Sequence, residues 1–318
     1  MSVPALLFTS LSAKKALFQA VLEDARRFHP EASLLGTDCN PSCPAASTVG
    51  NFVTMPRLSE LDSRSFNAFC VEEGITHIIP TRDGELTFLS QACETLARSR
   101  IKVFLPSGKA LSNCLDKLLF FRRLTALEVP VIPTGTNLEE IEGERFVVKE
   151  RHGAGSAKIG LNLNHKQALE HARKLKFPIF QPYVRGREFS SEIWLDRNSR
   201  ALGVVLRWRN HIVDGESHGT ETFRNPAWED FVIRTSESLG LTGHVLGQVL
   251  VDDLDSLQFV EINPRLGGAS PLSLACGLHS IEWFLRETAG ESRSLGSTFK
   301  PSPGKSLTRE GDRVTIKL

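Results

Sequence analysis

The sequence predicts a mixed α/β chain, with a small doubly wound parallel-sheet domain first and a larger α+β region after it. Three observations carry this. Up to about residue 107, short and almost wholly apolar runs alternate with helical patterns, as in a parallel sheet covered on both faces. From about Lys109 the alternation gives way to strand-like segments that follow one another directly. A glycine-rich loop, "RHGAGSAKIG", joins two of those strands instead of opening a helix.

The first domain begins with the strand "PALLFTS" and a helix whose apolar face is Ala16, Leu17, Ala20, Val21 and Ala25. "ASLLGTD" is the second strand and runs into a loop of Asn, Pro and Ser. "SRSFNAFCVEEG" reads as a helix, "ITHIIPT" as a strand, "ELTFLSQACETLARS" as a helix and "IKVFLPS" as the last strand. No glycine follows the first strand, so the domain lacks a dinucleotide-binding fingerprint.

In the second region "LDKLLFFRRLTALEV" is a helix stopped by Pro130. "RFVVKERHGAGSAKIGLNLN" is strand, loop and strand, followed by the helix "HKQALEHARKLK". "FPIFQPYV", "REFSSEIWLD" and "ALGVVLRWRN" are strands, and "VDGESHGTETF" reads as a loop. "PAWEDFVIRTSESLGL" is a helix, and "HVLGQVLVDD" with "SLQFVEINPR" is a hairpin across "DLDS". The last 28 residues, rich in Ser, Gly, Pro and charge, read as a loose tail with one strand, "RVTIKL". The divisions are 1–108, 109–180, 181–290 and 291–318.

Lys+Arg (38) and Asp+Glu (37) nearly cancel, so no overall field favours nucleic acid or an anionic membrane. No apolar run reaches the length of a membrane span, and "MSVPALLFTSLSAKK" has no cleavable signal layout. The six cysteines are scattered, and "CNPSC" has no second pair or nearby His to complete a zinc site. Reduced thiols and a cytoplasmic location are the expectation.

Three motifs bear on chemistry. In "FVEINPRLGG", Glu261 and Asn263 project to one face of a strand, offering two oxygens suited to Mg²⁺. Gln248 adds a third oxygen if "DLDS" is a tight turn, and Pro264 breaks the ladder and re-aims Arg265. A strand end running into a polar turn accounts for Glu-x-Asn alone equally well. In "FVVKERHGAGSAKIG", Lys149 precedes Gly153, Gly155 and Gly160, a backbone that approaches phosphate closely or simply connects two strands. In "FQPYVRGREFS", Gln181, Pro182, Tyr183 and Val184 end a strand and Glu188 follows a turn. Backbone groups there suit an adenine edge and the carboxylate a ribose; a plain strand–turn–strand is the alternative.

The order Lys117, Lys149, 181–188, Gln248, Glu261, Asn263, Arg265 resembles that of the ATP-grasp superfamily, nearest the carbamoyl-phosphate synthase large-subunit and carboxylate–amine ligase branch. The first hundred residues resemble the pre-ATP-grasp domain of that branch, including the "D-x-N-P-x-x-P" loop of Asp38, Asn40, Pro41 and Pro44. The resemblance implies a two-lobed ATP-grasp fold, with 109–180 as the small lobe and 181–290 as the large lobe. It implies Lys117 and Lys149 on the ATP phosphates, with Gly153, Gly155 and Ser156 in a lid over 152–158. Gln181 to Val184 would take the adenine, Glu188 the ribose, and Gln248, Glu261 and Asn263 the Mg²⁺ (or Mn²⁺). Arg265, with Lys149, would steady the transferring phosphoryl group. The hinge position usually held by an acid is Gln181 here.

Such enzymes activate a carboxylate as an acylphosphate that an amine attacks, releasing ADP and phosphate. Carbamate or carboxyphosphate chemistry and a non-catalytic ATP-binding subunit are the alternatives. Small-molecule carboxylate and amine are the expected partners, and a homodimer is left open. Substrate candidates are Arg82, Asp83 and Glu85 in "TRDGE", at the carboxyl end of a first-domain strand. Arg207 and Arg209, alternating onto one face with His211, could grip a carboxylate. Glu216 could receive an amine, and Gly267, Gly268 and Ser270 could shape the acyl site.

Overall fold

The computed structural model describes residues 3–106, 108–153, 158–291, 299, 302–311 and 313–318. The first domain is a five-stranded parallel sheet, in the order β3–β2–β1–β4–β5. Its strands are β1 (Ala5–Phe8), β2 (Ser33–Asp38), β3 (Phe52–Thr54), β4 (His77–Ile79) and β5 (Lys102–Val103). Helices α1 (Lys15–Phe28), α2 (Ser63–Glu72) and α3 (Asp83–Arg98) cover it. Asp62 caps α2 by accepting from the amides of Arg64 and Ser65. Strand β3 escapes the sequence reading: it is a three-residue edge strand with no buried position and so no periodic signal.

The helix read from Leu115 is α5 (Lys117–Ala126), and a further helix, α4 (Gly108–Leu115), precedes it. Asp116 separates them, its carboxylate accepting from the amides of Leu118 and Leu119 as the α5 N-cap. A three-stranded antiparallel sheet follows, β7–β6–β8, from β6 (Phe146–Glu150), β7 (Gly160–Leu163) and β8 (Pro178–Pro182). Helix α6 (His165–Ala172) packs against it behind a capping box of Asn164 and Gln167.

The largest sheet has seven strands, in the order β13–β12–β9–β10–β11–β14–β15. Its first part comprises β9 (Gly186–Leu195), β10 (Ala201–Val213), β12 (Gly243–Asp252) and β13 (Leu257–Asn263), with α7 (Pro226–Ser238) between β11 and β12. Two elements correct the sequence reading. The segment read as a loop is β11 (Glu216–Phe223), paired with β10 on one side and β14 on the other. Its buried residues include Ser217, Thr220 and Thr222, hydroxyl side chains that carry no apolar signal. The segment read as a loose tail forms β14 (Ser306–Glu310) and β15 (Arg313–Lys317), a hairpin that extends the sheet; "RVTIKL" is its second strand.

Helices α8 (Ser270–Ala275) and α9 (Ser280–Thr288) return the chain to the first domain. One core joins Phe8, Leu17 and Phe104 of that domain to Trp194, Val205, Ile281 and Phe284. Phe104 lies 5.7 Å from Trp194 and 5.1 Å from Phe284, ring centre to ring centre. This shared core lets side chains of the first domain meet residues near the end of β13. Among the described residues no helix is long and apolar enough to cross a membrane.

Candidate active site

A cavity of about 640 Å³ lies where the three-stranded and seven-stranded sheets face each other. It gathers Lys117, Lys149, Glu188, Glu261, Asn263 and Arg265, which the sequence spreads over 149 positions from first to last. Ile132, Val147, Leu246 and Leu250 supply apolar walls that sequence reasoning did not single out, since apolar residues in and beside strands read as ordinary core.

Lys117 is the first residue of α5, and its Nζ donates to the Gly153 carbonyl at 2.7 Å. Arg151 ties that helix end to β6 through two hydrogen bonds to Asp116, at 2.8 and 2.6 Å. Gly153 has φ +103°, a conformation that side chains avoid. Gly155 and Ser156 lie outside the described residues. Lys149, next to last in β6, is only 9% exposed. Burial pulls its amine down to about 8, countered in part by Glu261 and Glu188.

The backbone of Gln181 pairs with Val147 in the small sheet, and its buried amide nitrogen donates to Thr134 Oγ1 at 2.8 Å. Pro182, Tyr183 and Val184 line the cavity, but the Tyr183 amide donates to the Arg145 carbonyl at 2.8 Å and is not free to read an adenine edge. Glu188 pairs with Arg209, Nε to Oε1 at 3.0 Å. Burial raises the Glu188 carboxyl, and Arg209 offsets that only in part.

Gln248 and Glu261 are direct partners across the β12–β13 hairpin; the register that leaves the turn would set Gln248 against Val260, and a β-bulge between Gln248 and Val249 shifts it onto Glu261. The Gln248 amide sits between Glu188 and Arg209; assigned by its hydrogen bonding, its nitrogen faces Glu188 Oε1 at 3.2 Å and its oxygen faces Arg209 Nη1 at 3.3 Å. A cation would have to draw that oxygen away. Asn263 donates from Nδ2 to Glu261 Oε1 at 2.8 Å, and its own oxygen has no partner among the described residues. Burial alone would raise the Glu261 carboxyl; Lys149, Lys117, Asn263 and Arg265 outweigh it and hold the group below its usual value. An ionised carboxylate beside an amide oxygen suits a hard divalent cation such as Mg²⁺.

Arg265 lines the same cavity just past the break at Pro264. It donates from Nε and Nη2 to the two oxygens of Asp83, at 2.5 and 3.0 Å, and from Nη1 to the Leu266 carbonyl at 3.1 Å. Asp83 is the first residue of α3 in the first domain. This corrects the reading of Asp83 as a substrate ligand: its carboxylate is committed to the arginine.

The other first-domain candidates are placed elsewhere. Glu85 is buried, accepting from Thr9 Oγ1 at 2.7 Å, from Ser10 Oγ, and from the amides of Thr81 and Arg82 at 3.2 Å each. It anchors the start of α3, and Arg82 is the exposed N-cap residue there. Arg207 and Arg209 both line the cavity, but Arg207 is already paired. Only 1% exposed, it donates from Nε to Glu192 Oε1 at 2.8 Å, and Glu192 Oε2 lies 3.2 Å from His244 Nε2. The alternation that put His211 beside the arginines fails at β-bulges around it, and His211 is exposed. Ser270 Oγ accepts from the Gly267 amide at 2.7 Å and holds that turn. Glu216, Gly267 and Gly268 do line the cavity. Sequence reasoning missed Arg309 of β14, which reaches both Glu216 and the Gly268 carbonyl at 3.0 Å.

Residues 114–269 match the family model of an ATP-grasp domain. The chain carries an ATP-grasp domain. Residues 6–104 match the model of a PylC-like N-terminal domain, and the whole is an ATP-grasp enzyme. The fold is similar to that of the biotin carboxylase domain dimer of Hydrogenobacter thermophilus 2-oxoglutarate carboxylase, solved with MgADP, ADP and bicarbonate. The TM-score is 0.76 at 15% identity, covering 97% of this chain and 75% of that one. It is also similar to N5-carboxyaminoimidazole synthetase from Staphylococcus aureus (TM-score 0.72, 15% identity, 97% and 84% covered). L-amino acid ligase from Bacillus licheniformis gives a TM-score of 0.70 at 16% identity, with 96% and 79% covered. A comparison with curated proteins finds no match.

Proposed function

We propose that this ATP-grasp enzyme is an ADP-forming ligase that activates a small carboxylate, an amino acid or similar acid, as an acylphosphate and transfers the acyl group to an amine. The observation that carries the reading is the convergence of Lys149, Glu261, Asn263 and Arg265 on one cavity, with Arg265 locked by Asp83. A nucleotide-binding module needs the lysine and the acid; an arginine held at the metal-facing end serves charge that develops during transfer.

Glu261 and Asn263 would hold Mg²⁺, which when bound neutralises phosphate charge and orients the γ-phosphoryl group. Lys117 and Lys149 reach the phosphate region from the small lobe, and Lys117 gives up its contact with the Gly153 carbonyl to do so. Arg265 uses three of its five N–H groups on Asp83 and Leu266, leaving two for the oxygens of the transferring group. The carboxylate gains a leaving group in phosphate, and the protein contributes positioning and charge neutralisation. The apolar walls exclude water that would hydrolyse the acylphosphate.

The purified chain should release ADP and phosphate from MgATP with some pair drawn from a panel of amino acids and amines. Bicarbonate belongs in the panel, because turnover with it alone as the acid would shift the reading to carbamate chemistry. Release of AMP and pyrophosphate would overturn the acylphosphate route.

A further inference from the structure

The Gly267–Gly268 turn lines the cavity, and the C-terminal hairpin packs behind it. Arg309 extends from β14 past β11. Its Nη1 donates to Glu216 Oε2 at 3.0 Å, and its Nη2 donates to the Gly268 carbonyl at 3.0 Å. The Arg309 side chain is 12% exposed, whereas the Glu216 side chain is 48% exposed, so the arginine is the fixed partner and the carboxylate the accessible one. The fit is close: a Cβ on Gly268 would lie 2.8 Å from Glu216 Oε2 and 3.4 Å from Arg309 Nη2.

Arg309 holds only one oxygen of Glu216. The other, Oε1, has no hydrogen-bond partner among the described residues. Glu216 lines the cavity and lies within electrostatic range of both Arg265 and Lys14, the latter anchored in the first domain by bonds to the Ser10 carbonyl and Thr81 Oγ1 at 2.8 and 3.0 Å. These cations would draw an acyl substrate's negative charge, and the free carboxylate oxygen near them suits a group of opposite charge.

Resting on the ligase reading above, we propose that Glu216 is the amine-recognition residue of this enzyme, that its ligand is a primary ammonium, and that Arg309 is the positioning residue that aims it. The ammonium loses one proton to Glu216 Oε1, which passes it to solvent. The freed nitrogen lone pair forms the C–N bond to the acylphosphate carbon, and the C–O bond to phosphate breaks with its electrons going to phosphate. The second nitrogen proton leaves with the phosphate as hydrogen phosphate.

The test separates acyl activation from amine capture. Hydroxylamine, largely neutral near pH 7, traps an acylphosphate as a hydroxamate without needing an ammonium site. Full-length wild type, Glu216→Gln, Arg309→Met and Arg309→Lys are assayed with MgATP and the amino-acid panel, with either hydroxylamine or an amine as acceptor. Arg313→Met, an exposed arginine of the same hairpin, is the control. The amine KM should rise at least tenfold in Glu216→Gln and Arg309→Met, with MgATP KM and hydroxamate yield within twofold of wild type. Arg309→Lys should recover part of the loss, and the control should match wild type. An unchanged amine KM in both variants overturns the subsite while leaving the ligase intact, and so does a parallel loss of hydroxamate. If wild type yields neither ADP nor hydroxamate with any acid, the ligase reading itself falls, and the subsite with it.

Discussion

Replacing Asp83 by Asn tests whether the first domain takes part in phosphoryl transfer by holding Arg265. In the native pair two guanidinium N–H groups meet two carboxylate oxygens, at 2.5 and 3.0 Å, and the side chains are only 14% and 9% exposed. Asn keeps one acceptor and turns a donor toward the other N–H, so one bond is lost and a donor faces a donor. Breaking one side of a buried, hydrogen-bonded ion pair costs about 3–5 kcal/mol. Because both groups retain some solvent contact, we expect the low end, about 3 kcal/mol of stability. A further cost of about 0.5 kcal/mol comes from losing a negative charge in the first turn of α3. The catalytic effect follows from orientation: an arginine free to swing by about 1 Å loses roughly a hundredfold in kcat, or about 2.7 kcal/mol at the transition state. Steady-state kinetics should show kcat down by that factor and MgATP KM nearly unchanged, with circular dichroism confirming a folded protein. Asp83→Glu, which keeps both acceptors, should recover part of kcat. A kcat within twofold of wild type in Asp83→Asn, alongside a large loss in Arg265→Ala, would refute the argument.

Three further outcomes are expected. Glu261→Ala should lower turnover by at least about a hundredfold while the protein stays folded, since an ionised metal-facing ligand is lost; full activity would remove the metal assignment. Lys149 carries its charge below about 8 and loses it above, so MgATP KM should climb as pH rises through 8. Lys14 is also lowered to about 8, so Lys149→Arg, which stays charged, identifies the source by flattening the profile. Burial would raise the Glu192 carboxyl, but Arg207 and His244 pull it down to about 2 from 4.5. Its stabilisation is therefore complete above pH 4.5 and lost as pH falls toward 2, so wild type should melt progressively lower across that window and Glu192→Gln should show a shallower slope.

Local pattern carries local structure. The apolar runs of the first domain and the "DLDS" turn were legible because each depends on neighbours a few residues away, whereas the pairing of Gln248 with Glu261 also needs a β-bulge that the turn does not encode. Lys149, Glu261 and Asn263 were legible for the same reason, since their charge and spacing look out of place on apolar strands. Strand β11 was not legible, because its hydroxyl side chains are buried only by the strands on either side.

The sequence by itself determined most of the elements and a set of candidate polar residues at strand ends, because side-chain period and turn propensity act within about ten residues. Tertiary structure alone decided their partners. Asp83 and Arg265 are 182 positions apart, and Glu216 and Arg309 are 93 apart. Arg207, read from strand alternation as one of a pair that could grip a carboxylate, is buried on Glu192. Ion pairs of this kind arise where separately folded elements dock, and the shared core around Phe104 and Trp194 sets that docking here. No periodicity within one element encodes the position of another.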